Sequence, residues 1–216
     1  CNKKCNLLCW QHSRVQGMLD RVRGSQCTMQ LLKKVEVYRR PFVGLGISGI
    51  LTGISGSISV NGTFKIFQEM YKPDRTFLDA GAADGYVPIL AILYGYRRAI
   101  GVEFNSQNPL KSIFNTVWKK VTEKNPDILE LSKPTMKFST NVTNININSL
   151  SSEKIHMYSF WDGFNPGDSD RLIKLININN KIEKICLIRR KSRNYGTQTK
   201  LIQSLTREIK TIKSFD

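Results

Sequence analysis

The sequence predicts an α/β fold: a doubly wound, mostly parallel sheet of Rossmann-like form, preceded by a small basic segment. Three observations carry this expectation. Short strand-like runs alternate with longer helical runs from Arg75 to Ile209, the pattern of strands joined by helical crossovers. One of those runs, "RTFLDAGAADGYVPILA" (Arg75 to Ala91), passes from apolar residues to an acid, then to small residues and glycines, then to an apolar helix. The chain has 216 residues and a hydrophobic fraction of 40%, enough to bury a core without disulfide staples.

The elements follow in chain order. Residues 1–40 form a basic, cysteine-bearing segment, and residues 41–216 are expected to form the sheet domain. "MQLLKKVEVYRR" (Met29 to Arg40) reads as a short helix or strand stopped by Pro41. "FVGLGISGILTGISGSISV" (Phe42 to Val60) carries no charge and is about long enough to cross a bilayer. Its glycines interleave with Ser and Thr, which gives poor helix propensity, so a flexible loop or hairpin is expected instead of a membrane span. "NGTFKIFQEMYK" (Asn61 to Lys72) is a helix, with Phe64, Phe67 and Met70 at helical spacing and Pro73 at its end.

"RTFLDA" is the first strand of the sheet, and "YVPILAILYGY" is its helix, with Pro88 in the first turn. "RRAIGVEF" is the next strand. "NPLKSIFNTVWKKVTEK" is a helix with Ile113, Val117 and Val121 on one stripe. "TMKFST" and "KIHMYSF" are strands, "SDRLIKLINI" a helix, "EKICLIRR" a strand and "TQTKLIQSLTREI" a helix. The Asn/Ile-rich tracts "NVTNININSL" and "ININN" reflect the codon bias of an AT-rich genome.

The formal net charge of +16 does not set the fold. It points to a polyanionic partner, of which nucleic acid is the commonest. Of the five cysteines, three lie in the first nine residues; the odd count and clustering argue against a secreted disulfide framework. Cys186 lies in an apolar run and is read as a buried thiol. No secretory signal pattern is visible.

The turn after the first strand decides the ligand class. A dinucleotide fingerprint needs G-x-G-x-x-G so that the pyrophosphate sits on a helix N-terminus. Here Gly81 is followed by Ala82, Ala83, Asp84 and Gly85: the spacing is wrong, and Asp84 puts a carboxylate where a pyrophosphate would lie. A phosphate loop is excluded because no lysine follows the last glycine. S-adenosylmethionine (SAM) fits better. It carries no phosphate, its sulfonium and ammonium are cationic, and acids near the turn suit it.

The SAM fingerprint acid-x-G-x-G-x-G is matched by Asp79, Gly81 and Gly85, with Ala83 at the middle glycine. Small residues such as Ala82 let the backbone approach a ligand. Glu103 in "GVEF" closes the second strand at the right distance to accept hydrogen bonds from two ribose hydroxyls. The alternative is that Asp79 and Glu103 are ordinary strand-end acids. Methyltransferases that act on exocyclic base amines carry an Asn/Asp-Pro-Pro-aromatic motif; Asn165-Pro166 is followed by Gly167 instead, next to the aromatics Tyr158, Phe160, Trp161 and Phe164.

Four segments together resemble the Dot1 family of histone lysine methyltransferases, the class without a SET domain. "FLDAGAADG" followed by Tyr86 is similar to the family's cofactor motif, and "AIGVEF" to its second strand with the ribose-binding glutamate. "SGSISVNGTFKIFQEM" is similar to its Y-G-E-T loop and following helix, with Gly56, Ser57 and Ile58 in the loop. "FWDGFNPGDSDRL" is similar to its N-N-F-A-F-G-P segment, with Phe164 and Pro166 matching. The likeness covers about Tyr38 to Arg190. The chain departs from the pattern at Ser57, where the family has an acid. It departs again at Phe160 and Trp161, where the family has asparagines, and at Asn141, where the family has the acid that meets adenine.

The resemblance implies lysine methylation on the nucleosome core. A free lysine has a pKa of about 10.4, so the attacking amine must be made neutral. Desolvation in an apolar channel does this, and aromatic walls position the amine. Trp161, Phe164 and Phe160 are the expected walls.

The ends of the chain carry the rest. "IRRKSRNYGTQTK" groups Arg189, Arg190, Lys191 and Arg193, and the N-terminal part adds Arg14, Arg21, Arg23, Lys33, Lys34, Arg39 and Arg40. Arg39, Arg40 and the 189–193 group are expected to make sequence-independent DNA contacts. "CNKKCNLLCWQH" sets Cys1, Cys5, Cys9 and His12 as four potential zinc ligands, with Cys27 as a spare; the alternative is reduced thiols on a helix. The expectation is a monomeric, nuclear or chromatin-associated SAM-dependent histone lysine methyltransferase that engages the nucleosome through histone and DNA, with no membrane contact. The alternatives are an RNA or DNA methyltransferase, and a nucleic-acid-binding module with an inactive methyltransferase fold.

Overall fold

The structure is a computed structural model, and it describes residues 26–42, 58–104, 109–124 and 131–188. Five strands form one sheet: β1 (Thr76–Ala80), β2 (Arg98–Val102), β3 (Thr135–Lys137), β4 (Ile155–Phe160) and β5 (Ile182–Ile188). Their order is β3-β2-β1-β4-β5, and every pairing is parallel. β1 is therefore central and buried along its whole length, which is why "TFLDA" is almost continuously apolar. The chain leaves β1 toward β2 on one side and later returns to β4 on the other. The order reverses at the β1/β4 boundary, where ligands settle in open α/β sheets.

One face of the sheet carries α1 (Gln26–Arg39), α2 (Val60–Met70), α3 (Tyr86–Tyr94) and α4 (Leu110–Lys124). Every residue of α3 is buried, as expected of a helix that is apolar all round. α1 and α2 pack against it, α4 packs against α1, and Leu31, Leu32 and Val35 of α1 join the same core. The run read as helix or strand before Pro41 is thus a helix; the expected division at residue 40 comes at its end. The Ile113, Val117 and Val121 stripe is buried, as are Phe64, Phe67 and Met70. Ser59 caps α2, its hydroxyl accepting from the Gly62 N–H at 3.1 Å.

The opposite face carries the short α5 (Ile147–Leu150) and α6 (Pro166–Ile178), which bury Leu172, Ile173 and Ile176 against Leu78, Ile100, Val102 and Met157. α6 starts before the expected "SDRLIKLINI", because Asn165 caps it through the Asp168 N–H at 2.8 Å and Pro166 fits its first turn. β3 is shorter than the expected "TMKFST". Cys186 is a buried free thiol, and burial pushes its pKa up to about 12. The residues of the expected Gly/Ser loop from 43 to 57 and of the expected C-terminal helix lie outside the described residues. Among the described residues no helix is long and apolar enough to cross a membrane.

At the amino ends of the strands, His156 is fully buried beneath Tyr96, whose hydroxyl lies 3.0 Å from Nδ1. Burial lowers its pKa to about 4, against the opposing pull of Glu183. Glu183 itself accepts from Lys72 at 2.6 Å and from Arg75. This network ties β4, β5 and the entry to β1 together at the edge away from the turn after β1.

Candidate functional site

The turn after β1 is bent tightly over the end of β2. The N–H groups of Gly81 and Ala82 both donate to the Val102 carbonyl, at 2.9 and 3.0 Å, and Gly85 N–H donates to the Ala82 carbonyl at 2.8 Å. Gly81, Ala83 and Gly85 adopt φ of 85°, 45° and 75°. These are the three glycine positions of the fingerprint, so Ala83 holds a glycine conformation at a cost of about 1 kcal/mol. Close approach also needs Gly101 on β2: a Cβ there would lie 2.3 Å from Met136 Sδ and 2.8 Å from Ala82 Cβ.

Three carboxylates converge on this turn. Asp79 is buried, and among the described residues its Oδ1 has no hydrogen-bond partner. Burial, and then the charges of Glu103 and Asp84, push its pKa well above the carboxylate range. Glu103 is also buried, and its Oε2 accepts from the Ala83 N–H at 2.7 Å. Asp84 Oδ1 accepts from the Tyr86 N–H at 3.3 Å, at the start of α3, where the cap residue Gly85 offers no side chain. Asp84 Oδ2 pairs with Arg39 Nε at 2.5 Å, and the Arg39 guanidinium lies 4.6 Å from the centre of the Tyr86 ring.

Arg39 therefore belongs to the turn: of the basic residues expected to contact DNA, it is the one the structure places against Asp84, with its side chain 15% exposed. Arg40, next to it, is exposed.

The segment after β4 lies beside the turn. Ser159 Oγ donates to the Ala80 carbonyl at 2.8 Å, and a Cβ at Gly81 would lie 3.5 Å from the Phe164 ring. Phe164 and Phe160 are half-buried at this edge. Trp161 is different: it is fully buried, in the core on the α6 side, with its ring 6.0 Å from that of Phe164. Trp161 opens the 3-10 turn Trp161–Gly163, and of the three expected channel walls it is the one the structure places in the core.

Asn141 begins a short 3-10 turn. Its Oδ1 accepts from the Thr143 N–H at 2.9 Å, and its amide donates to Asp168 at 3.3 Å. This places the amide in a local cap bonded to the first turn of α6. Ile58 is half-buried against the helical core.

Gly56, Ser57, Cys1, Cys5, Cys9, His12, Arg189, Arg190, Lys191 and Arg193 lie outside the described residues. Among the described residues no group of His, Cys, Asp or Glu could hold a metal ion.

Phe104, Gly101 and the Arg39–Asp84 pair were not among the residues expected from sequence. Phe104 follows Glu103 and is 60% exposed, an unusual state for phenylalanine. Its only signal in the sequence is an aromatic placed just past a strand's acidic end. The whole arrangement is a small-residue turn backed by three acids, one of them paired with Arg39, with the exposed Phe104 next in sequence to Glu103.

No family model matches the chain, and neither does any curated protein. Solved structures similar to the chain include two at low identity. One is described as an S-adenosylmethionine-dependent methyltransferase from Listeria monocytogenes, at 12% identity and TM-score 0.31, over 53% of this chain and 49% of that one. The chain thus spans about half the length of that protein. The other is described as a protein-L-isoaspartate O-methyltransferase from Plasmodium falciparum in complex with S-adenosyl-L-homocysteine, at 16% identity and TM-score 0.37, over 76% of this chain and 85% of that one.

Proposed function

We propose that the chain is a SAM-dependent methyltransferase whose cofactor turn is Asp79 to Gly85. The observation that carries this reading is Asp79: a buried carboxylate with an oxygen unpartnered among the described residues, set below a turn of three positive-φ residues at the switch point of the sheet. An orphan buried carboxylate calls for a ligand with hydrogen-bond donors or positive charge.

SAM supplies an activated methyl group on a sulfonium centre. Glu103 would hold the ribose hydroxyls, exchanging its present bond to Ala83 N–H for them or sharing it. Phe104 offers an open ring face for the adenine. The backbone of Gly81 to Gly85 offers close approach without side chains in the way.

The acceptor we assign is a lysine of nucleosomal histone, in the manner of the Dot1 family. Phe164 and Phe160 border the turn and would desolvate the incoming amine, keeping its proton off; no protein base is needed, because water takes the proton. The excess of basic residues, Arg40 and the 189–193 group among them, suits sequence-independent contacts to nucleosomal DNA and a nuclear location. In this reading Cys1, Cys5, Cys9 and His12 hold a structural zinc that orders the basic N-terminal segment.

The test is transfer of a tritiated methyl group from SAM to nucleosomes, free histones and RNA. Label on histone lysine supports the reading. Label on RNA or DNA alone supports a nucleic-acid methyltransferase, and no label with retained DNA binding supports an inactive fold.

A further inference from the structure

We propose that Arg39 is a specificity-determining residue of the cofactor turn: by neutralising Asp84 it limits how strongly the site prefers a positively charged ligand to its neutral counterpart. The inference rests on the SAM reading above. The methyl leaves SAM for the acceptor amine while the C–S bonding pair stays on sulfur and the amine's proton goes to water. The cofactor therefore enters as a sulfonium and leaves as a neutral thioether. A site's net charge sets the ratio of the two affinities, and with it how well the product competes.

The charges around the turn are coupled. Asp79 is raised first by burial, then by Glu103 and by Asp84, so the charge at Asp84 is felt at the orphan carboxylate. Arg39 stands on the other side of Asp84, at 2.5 Å, with the two side chains 15% and 12% exposed. A pair this shielded keeps more of its field than a surface pair. Its position is fixed from two directions. Leu31, Leu32 and Val35 anchor α1 in the core, and the Tyr86 ring supports the guanidinium from below at 4.6 Å. Glu36, one turn earlier on α1, is exposed and acts on Tyr86 in the opposite sense to Arg39.

Arg39 thus cancels one of three converging acids, leaving Asp79 and Glu103 to face the ligand. The same contact joins the cofactor turn to α1, the helix that ends the basic N-terminal segment.

Calorimetric titration with SAM and S-adenosylhomocysteine tests this. Arg39→Met should raise the preference for SAM over the thioether about tenfold, the order expected of one unit charge ~10 Å away at an effective dielectric near 20 after salt screening. Arg39→Lys should keep the wild-type ratio. Asp84→Asn should shift the ratio the opposite way by a similar factor, and the Arg39→Met/Asp84→Asn double variant should return it to the wild-type value.

Equal loss of both affinities in Arg39→Met, with the ratio unmoved, would mean that Arg39 only holds the turn in shape, and the proposal fails. If Arg39→Met does not fold, Asp84→Asn decides alone: an unchanged ratio overturns the proposal. Absence of binding of either ligand to the wild-type chain defeats the SAM reading itself, whereas SAM binding with unmoved ratios defeats only the role given to Arg39.

Discussion

Replacing Asp79 with Asn should stabilise the ligand-free protein while abolishing cofactor binding. In the folded chain this carboxyl is buried, one oxygen lacks a partner among the described residues, and Glu103 and Asp84 add like charge. Asn keeps the shape and an oxygen at the same place but removes the buried charge and its repulsion by Glu103 and Asp84, so a gain of ~1–2 kcal/mol is expected at neutral pH, or roughly 3–6 °C in Tm for a domain of this size.

The pH dependence has a definite sign. The folded-state pKa of Asp79 lies above its unfolded value, so the native state binds the proton more tightly. Below about pH 4 the carboxyl is protonated in both states, and wild type and variant should be equally stable. As pH rises toward the folded pKa, wild type loses stability that the variant keeps. Thermal melts from pH 4 to pH 8 without ligand read the stability, and calorimetry at neutral pH reads SAM affinity, expected to fall at least about a hundredfold with loss of a charge-assisted partner. A variant that is less stable than wild type at neutral pH and binds SAM as before would refute the reasoning.

Gly101→Ala should destabilise by about 2 kcal/mol, because the added methyl meets Met136 Sδ at 2.3 Å and Ala82 Cβ at 2.8 Å; a chemical denaturation curve checks it, and an unchanged midpoint would mean that the turn does not sit this close to β2. Phe104→Ala should leave Tm within about 1 °C, since the ring is exposed, yet weaken SAM about tenfold through lost stacking. Metal analysis of purified protein should find about one zinc per chain, and less than about half an equivalent removes the Cys1, Cys5, Cys9, His12 site. Nucleosome affinity should fall steeply between ~50 and ~200 mM salt if the basic ends contact phosphate; a flat response would remove DNA from the partner list.

Most of the sheet was legible in the sequence because its strands are short, apolar and separated by well-marked helices. The all-apolar "YVPILAILY" was legible as a helix, and the stripes of α2 and α4 lie on the buried side. Strand ends were less legible. "TMKFST" pairs over only Thr135 to Lys137, since an edge strand ends where its neighbour's backbone turns away, and local propensity does not report that.

In the site, Asp79, Gly81, Gly85 and Glu103 could be read from spacing, because they follow one another along β1, its turn and β2. Residues brought in by tertiary contact could not be read. Arg39 looked like one basic residue among many, and nothing local linked it to Asp84, 45 residues on. Trp161 looked like a channel wall because Gly and Pro surround it, but aromatic character alone does not say which side of a loop a ring takes. Phe104 was passed over since exposure is decided by what covers a residue, not by its type.

Titration of the purified chain with SAM tests the account most directly, with NAD⁺ and ATP as controls. Saturable binding of about one SAM per chain is expected, with S-adenosylhomocysteine competing for the same site and no heat from the two phosphate-bearing ligands. Binding of NAD⁺ or ATP at the Asp79 to Gly85 turn, with none of SAM, would contradict it.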